Sequence, residues 1–269
     1  MTQATSRAVK VRAVFVGAGI VLAIFVPIWF VAAALGTKFG LWPWTVGLVR
    51  MTGGIGVPLI GLLIVLTFVT SLLVAFIKPR AGYGGLAFMW VVSLCAAGLA
   101  FKAVTSATAV PPIHDISTDT SAPLMPSPQL LAARGTAANK ILPPKDSITP
   151  FDAKRLSAWS GRTLVDIQAE AYPAIKPLVL AGTSPPEAYA KALSVLKQQG
   201  LSIISEDQTG MRIEASAESF WFGFKDDVIV QLRAVPTGTQ IDMRSISRVG
   251  ISDLGQNAKR IENLQAALK

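Results

Sequence analysis

Gln240–Ile261, QIDMRSISRVGISDLGQNAKRI, is the stretch that decides how this chain folds. Ile241, Met243, Ser245 and Ser247 alternate with Asp242, Arg244, Ile246 and Arg248, the period-two pattern of a strand with two unlike faces. Gly250 breaks the pattern. Ser252 and Asp253 then predict a helix start, a capping hydroxyl followed by an acid that suits the positive end of the helix dipole. Leu254, Ala258, Ile261, Leu264 and Leu268 follow at helical spacing, so this terminal helix should dock on a sheet. Asn257 falls on the same side, between Leu254 and Ile261, where a buried amide needs a partner.

Working back from there, Val228–Val235 alternates in the same way and is separated from Gln240 by Pro236-Thr237-Gly238-Thr239. A regular hairpin closed by that loop places Val235 opposite Gln240. One face then pairs Ala234 with Ile241, Leu232 with Met243, Val230 with Ser245 and Val228 with Ser247. The other pairs Arg233 with Asp242, Gln231 with Arg244, Ile229 with Ile246 and Asp227 with Arg248, mixing opposite charges across the strands. Leu201–Ser205 and Met211–Ala217 predict a second hairpin around Asp207-Gln208-Thr209-Gly210. Ser184-Pro185-Pro186-Glu187 signals a capped helix that Gly200 ends. Gly161–Ala171 reads as a shorter helix, stopped by Tyr172-Pro173. Ile113–Thr120 and Tyr172–Leu178 read as extended, and Ser121–Pro150, rich in Pro, Ser and Ala, as a loop over the surface. Together these predict an α+β domain over residues 113–269, in which a helix, an antiparallel sheet of about four strands and a closing helix share one core.

The rest of the chain is of another kind. The first 114 residues contain no acid, and all 16 Asp and Glu lie at or after Asp115. With 51% hydrophobic residues the chain is too apolar for an ordinary soluble protein. Three uncharged segments, about 13–36, 53–77 and 84–101, are each long enough to cross the ~30 Å hydrocarbon layer as transmembrane helices. Residues 104–112 form a tether. A cleaved signal peptide is the alternative for the first segment, with Ala32-Ala33-Ala34 as a processing site; its length and the two later spans argue against that. Pro27 and Pro58 are tolerable kinks within spans, and Trp42 and Trp44 read as interfacial aromatics. Arg7, Lys10, Arg12, Lys78 and Arg80 fall on one side of the bilayer, and Lys38, Arg50 and Lys102 on the other. That imbalance predicts a cytoplasmic N-terminus in an inner (plasma) membrane, with the α+β domain outside the cytoplasm, in the periplasm. The net charge of +9 therefore reports membrane-flanking residues and not a nucleic-acid surface.

Cys95 is the single cysteine and His114 the single histidine, which excludes an intrachain disulfide, a thiolate metal site and any site with two imidazoles. No cofactor or metal is expected. His114 with Asp115 and Asp119 has the residue types of a general base and its orienting carboxylate, or is a strand-end histidine bonded by neighbouring backbone. Asp226-Asp227 with Asp119 or Glu214 offers oxygens to a divalent cation. Adjacent strand residues point to opposite faces, which favours pairing of Asp227 with Arg248 instead. Arg244 and Arg248 share a face and either grip a phosphate, carboxylate or lipid headgroup or act as structural clamps. Ser247, Asp253 and Asn257 complete the candidate ligand-binding set around them. Trp221, Phe222 and Phe224 are assigned to the core, with an exposed patch for membrane or partner as the alternative.

Four pieces carry a resemblance to a known family: IHDISTD at Ile113–Asp119, YPAIKPL at Tyr172–Leu178, IEASAESFWFGFKDDVIVQL at Ile213–Leu232 and IDMRSISRVGISDLGQNAKRI at Ile241–Ile261. In these the chain resembles the membrane-associated bacterial and plastid proteins of the domain of unknown function 1499 family. Residues 121–147 match poorly and read as a local insertion. The resemblance implies preceding membrane spans and assigns no activity.

Three function classes stay open on the sequence. The first is a membrane-tethered binding or adaptor module of the cell envelope, its partners the lipid bilayer and an envelope protein. The second is a receptor for a lipid headgroup or other anionic ligand, which requires an open groove beside Arg244 and Arg248. The third is a hydrolase using His114 and nearby carboxylates. Transport is not indicated, because the apolar cores of the spans carry no Asp, Glu, Lys, Arg or His for an ion path.

Overall fold

The computed structural model describes residues 3–141 and 159–269. The chain divides into two compact units, Met1–Ser106 with Phe220–Gly223, and Ala107–Ser219 with Phe224–Lys269.

In the first unit, α1 (Gln3–Lys38) is followed by a π-helical segment (Thr45–Gly56) that runs directly into α2 (Val57–Phe76), and then by α3 (Tyr83–Ala109). Three stretches are long and apolar enough to cross a membrane: Arg7–Lys38, Thr45–Phe76 and Tyr83–Ala109. All are longer than expected from hydropathy alone, because helix begins before Ala13 and runs to Lys38, continues through Thr45–Thr52 and extends beyond Phe101. Gly56 lies against the Phe30 ring and Gly19 against the Met89 side chain, positions where a Cβ would collide. Polar side chains inside this unit bond locally or across helices: Thr67 donates to the Leu63 carbonyl at 2.7 Å and contacts Ser93 at 3.2 Å. Arg12, buried on α1, donates to the Ile77 carbonyl at 3.0 Å and to that of Pro79, meeting the negative end of α2.

The second unit is an antiparallel six-stranded sheet with helices on both faces. Its strands are β1 (Asp115–Ser117), β2 (Leu178–Ala181), β3 (Ser202–Asp207), β4 (Arg212–Glu218), β5 (Lys225–Val235) and β6 (Gly238–Ser247). The order is β1-β6-β5-β4-β3, and β2 also pairs with β6. Four strands were expected to suffice; IHDIS and the Leu-Val-Leu-Ala after Pro177 add the other two, end to end along the outer edge of β6. That edge is closed further by Gln168 of α5 (Leu164–Ala171), whose amide accepts from the Ser117 N–H at 3.0 Å and donates to the Ser117 carbonyl at 2.6 Å, as a strand would.

The β5–β6 register differs from the expected one by two residues: Val235 pairs with Gly238, Leu232 with Ile241, Val230 with Met243, Val228 with Ser245 and Asp227 with Ile246. The turn is Pro236-Thr237 alone, because Gly238 and Thr239 belong to the ladder, where they pair with Ala181 and Leu180 of β2. Side chains alternate with period two, so this slip preserves both faces and changes only the partners. One face is the main core, in which Ile213, Val228, Val230, Leu232, Ile241 and Met243 pack under α6 (Pro185–Gln198) and α7 (Gln256–Leu268).

Four further expectations are corrected. Helix α7 begins at Gln256, not at Ser252, since Leu254 and Gly255 have φ of 57° and 78° and cannot be helical. Leu254 is consequently exposed and lies off the apolar stripe. Ser184 makes no side-chain capping bond to α6. Residues 121–141 are not loop throughout: they contain α4 (Pro128–Arg134), with Leu130 and Arg134 buried against the second face of the sheet. The remainder of the expected loop, from residue 142, lies outside the described residues. The core expectation for Trp221, Phe222 and Phe224 is not met: Trp221 is exposed, as is the neighbouring Phe220, and Phe222 and Phe224 are half-buried outside the main core.

Candidate functional site

Eight of the nine candidate residues gather around the C-terminal half of β6, divided by the sheet into two polar clusters. On the face covered by residues 121–141, Arg244 and Asp115 form a buried bidentate pair, with Nε to Oδ1 at 3.0 Å and Nη2 to Oδ2 at 2.6 Å. Asp115 sits on β1 opposite Ile246, one ladder step from Arg244, so the register places the carboxylate in front of the guanidinium. The remaining Nη1 donates to the Leu124 carbonyl at 2.9 Å and contacts Met125 Sδ at 3.4 Å. The expected Gln231–Arg244 pairing is therefore replaced by Asp115–Arg244. Asp227 is fully buried between two guanidiniums, Arg248 at 2.6 Å and Arg134 of α4. Arg248 reaches it diagonally across the strands and also donates to the Ala133 carbonyl. Glu214, equally buried, accepts from Arg212 Nη2 at 2.8 Å and from both the N–H and the hydroxyl of Ser127, the cap of α4.

On the opposite face, Asn257 is the hub. Its Nδ2 donates to the His114 carbonyl at 3.0 Å and to Ser247 Oγ at 2.9 Å. Its Oδ1 accepts from Ser245 Oγ and from Arg260 Nη1, each at 2.6 Å. Arg260 also holds Asp226 at 2.7 Å. Asp253 accepts from the backbone N–H of Gly255 and of Asn257, each at 2.8 Å, and so caps α7 from outside the helix. Burial pushes its pKa up, Asp226 adds to the rise, and the two N–H donors oppose it. The expectation that Asn257 would find partners is met with its whole amide.

Asp119 stands apart from these residues. It closes a tight turn on Ser121, whose hydroxyl donates to it at 2.6 Å and is the main cause of its lowered pKa. His114 and Asp115 alternate along the extended segment, so the carboxylate on the Arg244 side does not orient the imidazole from the same face. Asp226 and Asp227 likewise face opposite ways, the first held by Arg260 and the second by Arg134 and Arg248. Among the described residues, no group of three or more His, Cys, Asp and Glu is placed to hold a metal ion.

Sequence reasoning missed Arg134 and Arg260 as members, along with the Ser127–Glu214–Arg212 link, and it singled out Asp226 only as an oxygen donor to a cation, not as the partner of Arg260. The first had a signal: Ser127-Pro128 before QLLAAR and Gly135 after it are helix start and stop residues. Arg260 lies one turn from Asn257 on the polar flank of an amphipathic helix, where nothing in spacing sets it apart from a solvated arginine. Chemically, the arrangement closes charge upon charge. Arg244 is 0% exposed and the Arg248 side chain 12%, so neither guanidinium lines an open groove.

A family model described as protein of unknown function (DUF1499) matches residues 115–268, an interval that begins at the carboxylate of the Arg244 pair and ends at the last residue of α7. No curated protein matches the chain.

Proposed function

The chain belongs to the DUF1499 family of proteins of unknown function, and for this member we propose an integral protein of the inner (plasma) membrane that displays residues 113–269 as a binding or adaptor domain in the periplasm. The observation that carries this reading is the use made of the domain's buried charges. Asp115, Asp227, Glu214 and Asp226 are each occupied by arginine, in pairs that join β1, α4, β4, β5, β6 and α7 into one rigid block. Such a block suits a domain that presents its outer surface to a partner, and it leaves few ionisable groups for chemistry. Three apolar helices precede it, and the distribution of Lys and Arg around them supports a cytoplasmic N-terminus.

Sidedness is tested by fusing alkaline phosphatase or a fluorescent protein after Lys269 of the full-length chain. Phosphatase activity without fluorescence is expected; the reverse pattern overturns the periplasmic placement. Native mass spectrometry of the gently extracted protein then separates the classes. A stoichiometric protein companion supports the adaptor. A retained anionic small molecule favours the ligand-binding reading over it.

A further inference from the structure

Ser219–Phe224 joins β4 to β5 and is closed on itself. The Ser219 N–H donates to the Phe224 carbonyl at 2.8 Å, and the Phe224 N–H to Ser219 Oγ at 2.8 Å. Between these bonds the chain makes a short excursion, Phe220-Trp221-Phe222-Gly223, turned by Gly223 at φ +66°. Phe220 is 74% and Trp221 52% exposed, and their rings meet edge to face with centroids 5.2 Å apart. Two large rings on a tight tip are an apolar surface that water penalises.

The register fixes which end of the sheet carries this tip. Asp115, where the chain enters β1, lies opposite Ile246; Ser247 lies opposite Asp226; Asp226 lies opposite Ala217, just before the loop. The aromatic tip and the point of arrival from α3 therefore share one end of the sheet. At ~4.8 Å per strand they are laterally offset by roughly 15 Å. Only Val110–His114 separates α3 from β1, a length of at most ~18 Å. The other end of the sheet carries Asp207-Gln208-Thr209-Gly210 and Pro236-Thr237, with no aromatic residue.

We propose that the Phe220-Trp221 tip inserts into the headgroup–acyl boundary of the bilayer crossed by the protein's own helices, a second attachment of the domain to lipid. The chemistry is that of interfacial aromatic belts: an indole offers an apolar body and one N–H for the wet side, and a phenyl ring beside it adds apolar area. Because α3 delivers the domain to the membrane surface already, the tip has little translational freedom left to lose, and a small apolar contact suffices.

The test uses the full-length chain in vesicles of phosphatidylethanolamine and phosphatidylglycerol. In a Cys95→Ser background, a nitroxide is placed at Phe220→Cys, at Trp221→Cys, or at Gln208→Cys as the control. Collisions with oxygen should dominate over collisions with a nickel chelate at 220 and 221, and the reverse should hold at 208. Water-like ratios at both tip sites overturn the proposal. So does shielding from both reagents, which indicates a protein contact in place of lipid. The unsubstituted chain gives an independent reading through hydroxyl-radical oxidation, normalised to the unfolded chain. Trp221 and Met125 are 52% and 50% exposed, so equal protection overturns the lipid contact and selective protection of Trp221 in vesicles supports it.

Discussion

Replacing Asp115 by Ala removes the partner of a guanidinium that has no access to water: the Arg244 side chain is 0% exposed and that of Asp115 5%. Nε and Nη2 lose bonds of 3.0 and 2.6 Å, while Nη1 keeps the Leu124 carbonyl. Leaving one member of a buried ion pair uncompensated costs about 3–5 kcal/mol. For a domain of this size, about 2–4 °C of melting temperature is lost per kcal/mol, so the domain transition should fall by roughly 6–20 °C. Replacing both partners by apolar residues of similar shape, Asp115→Leu with Arg244→Met, should restore most of the loss. The measurement is thermal unfolding of the full-length protein in detergent, followed by near-ultraviolet circular dichroism and by protease sensitivity of the domain. A shift under about 2 °C for Asp115→Ala, or a double variant no more stable than the single, refutes the clamp. The first result would describe an arginine whose burial does not depend on Asp115.

Ser127→Ala removes the α4 cap and one partner of Glu214, and should cost about 1–2 kcal/mol, read as faster tryptic cleavage after Arg134; unchanged cleavage means Leu130 and the Arg134–Asp227 pair hold α4 without the cap. Asn257→Leu leaves Ser245, Ser247 and the His114 carbonyl without their shared partner and should destabilise the domain by at least ~2 kcal/mol; an unperturbed melt would show that these groups re-pair locally. Asp253 gives a pH test. Its folded pKa lies above the ordinary 3.8, so the native state holds the extra proton across the window from 3.8 up to the raised value, and its contribution to stability falls as pH rises through that window and is flat above it. Asp253→Asn should erase that falling segment, visible as the difference between the two stability–pH curves. Asp119, with its lowered pKa, slopes the opposite way in both proteins and cancels in the difference. Superimposable curves would mean that Asp253 titrates normally.

The alternation around β6 was legible because a strand buried on one face must write its core at every second residue, and Ile241 and Met243 do so. The partners were not legible. A slip of two residues costs nothing in that pattern, and the correct register depended on β2, a strand of four residues whose pairing with Gly238 and Thr239 is set by contacts far along the chain. The second face was harder still. Its lid is a segment of mixed Pro, Ser and Ala that buries one leucine and one arginine, too little for an apolar period to announce. Without that lid Arg244 and Arg248 read as a surface, and with it they become interior. The start of α7 escaped because Leu254 adopts a left-handed conformation that nothing in its type suggests.

The bond between Asp115 and Arg244 spans 129 positions of the chain. On a ribosome adding about 5–20 residues per second, the arginine follows the carboxylate by an interval on the order of ten seconds. Throughout that interval β1 has no β6 to pair with, and β2 waits likewise. The outer edge of the sheet is thus assembled last from its earliest pieces, and the nascent domain is open to chaperones, proteases or a companion chain until its final third arrives.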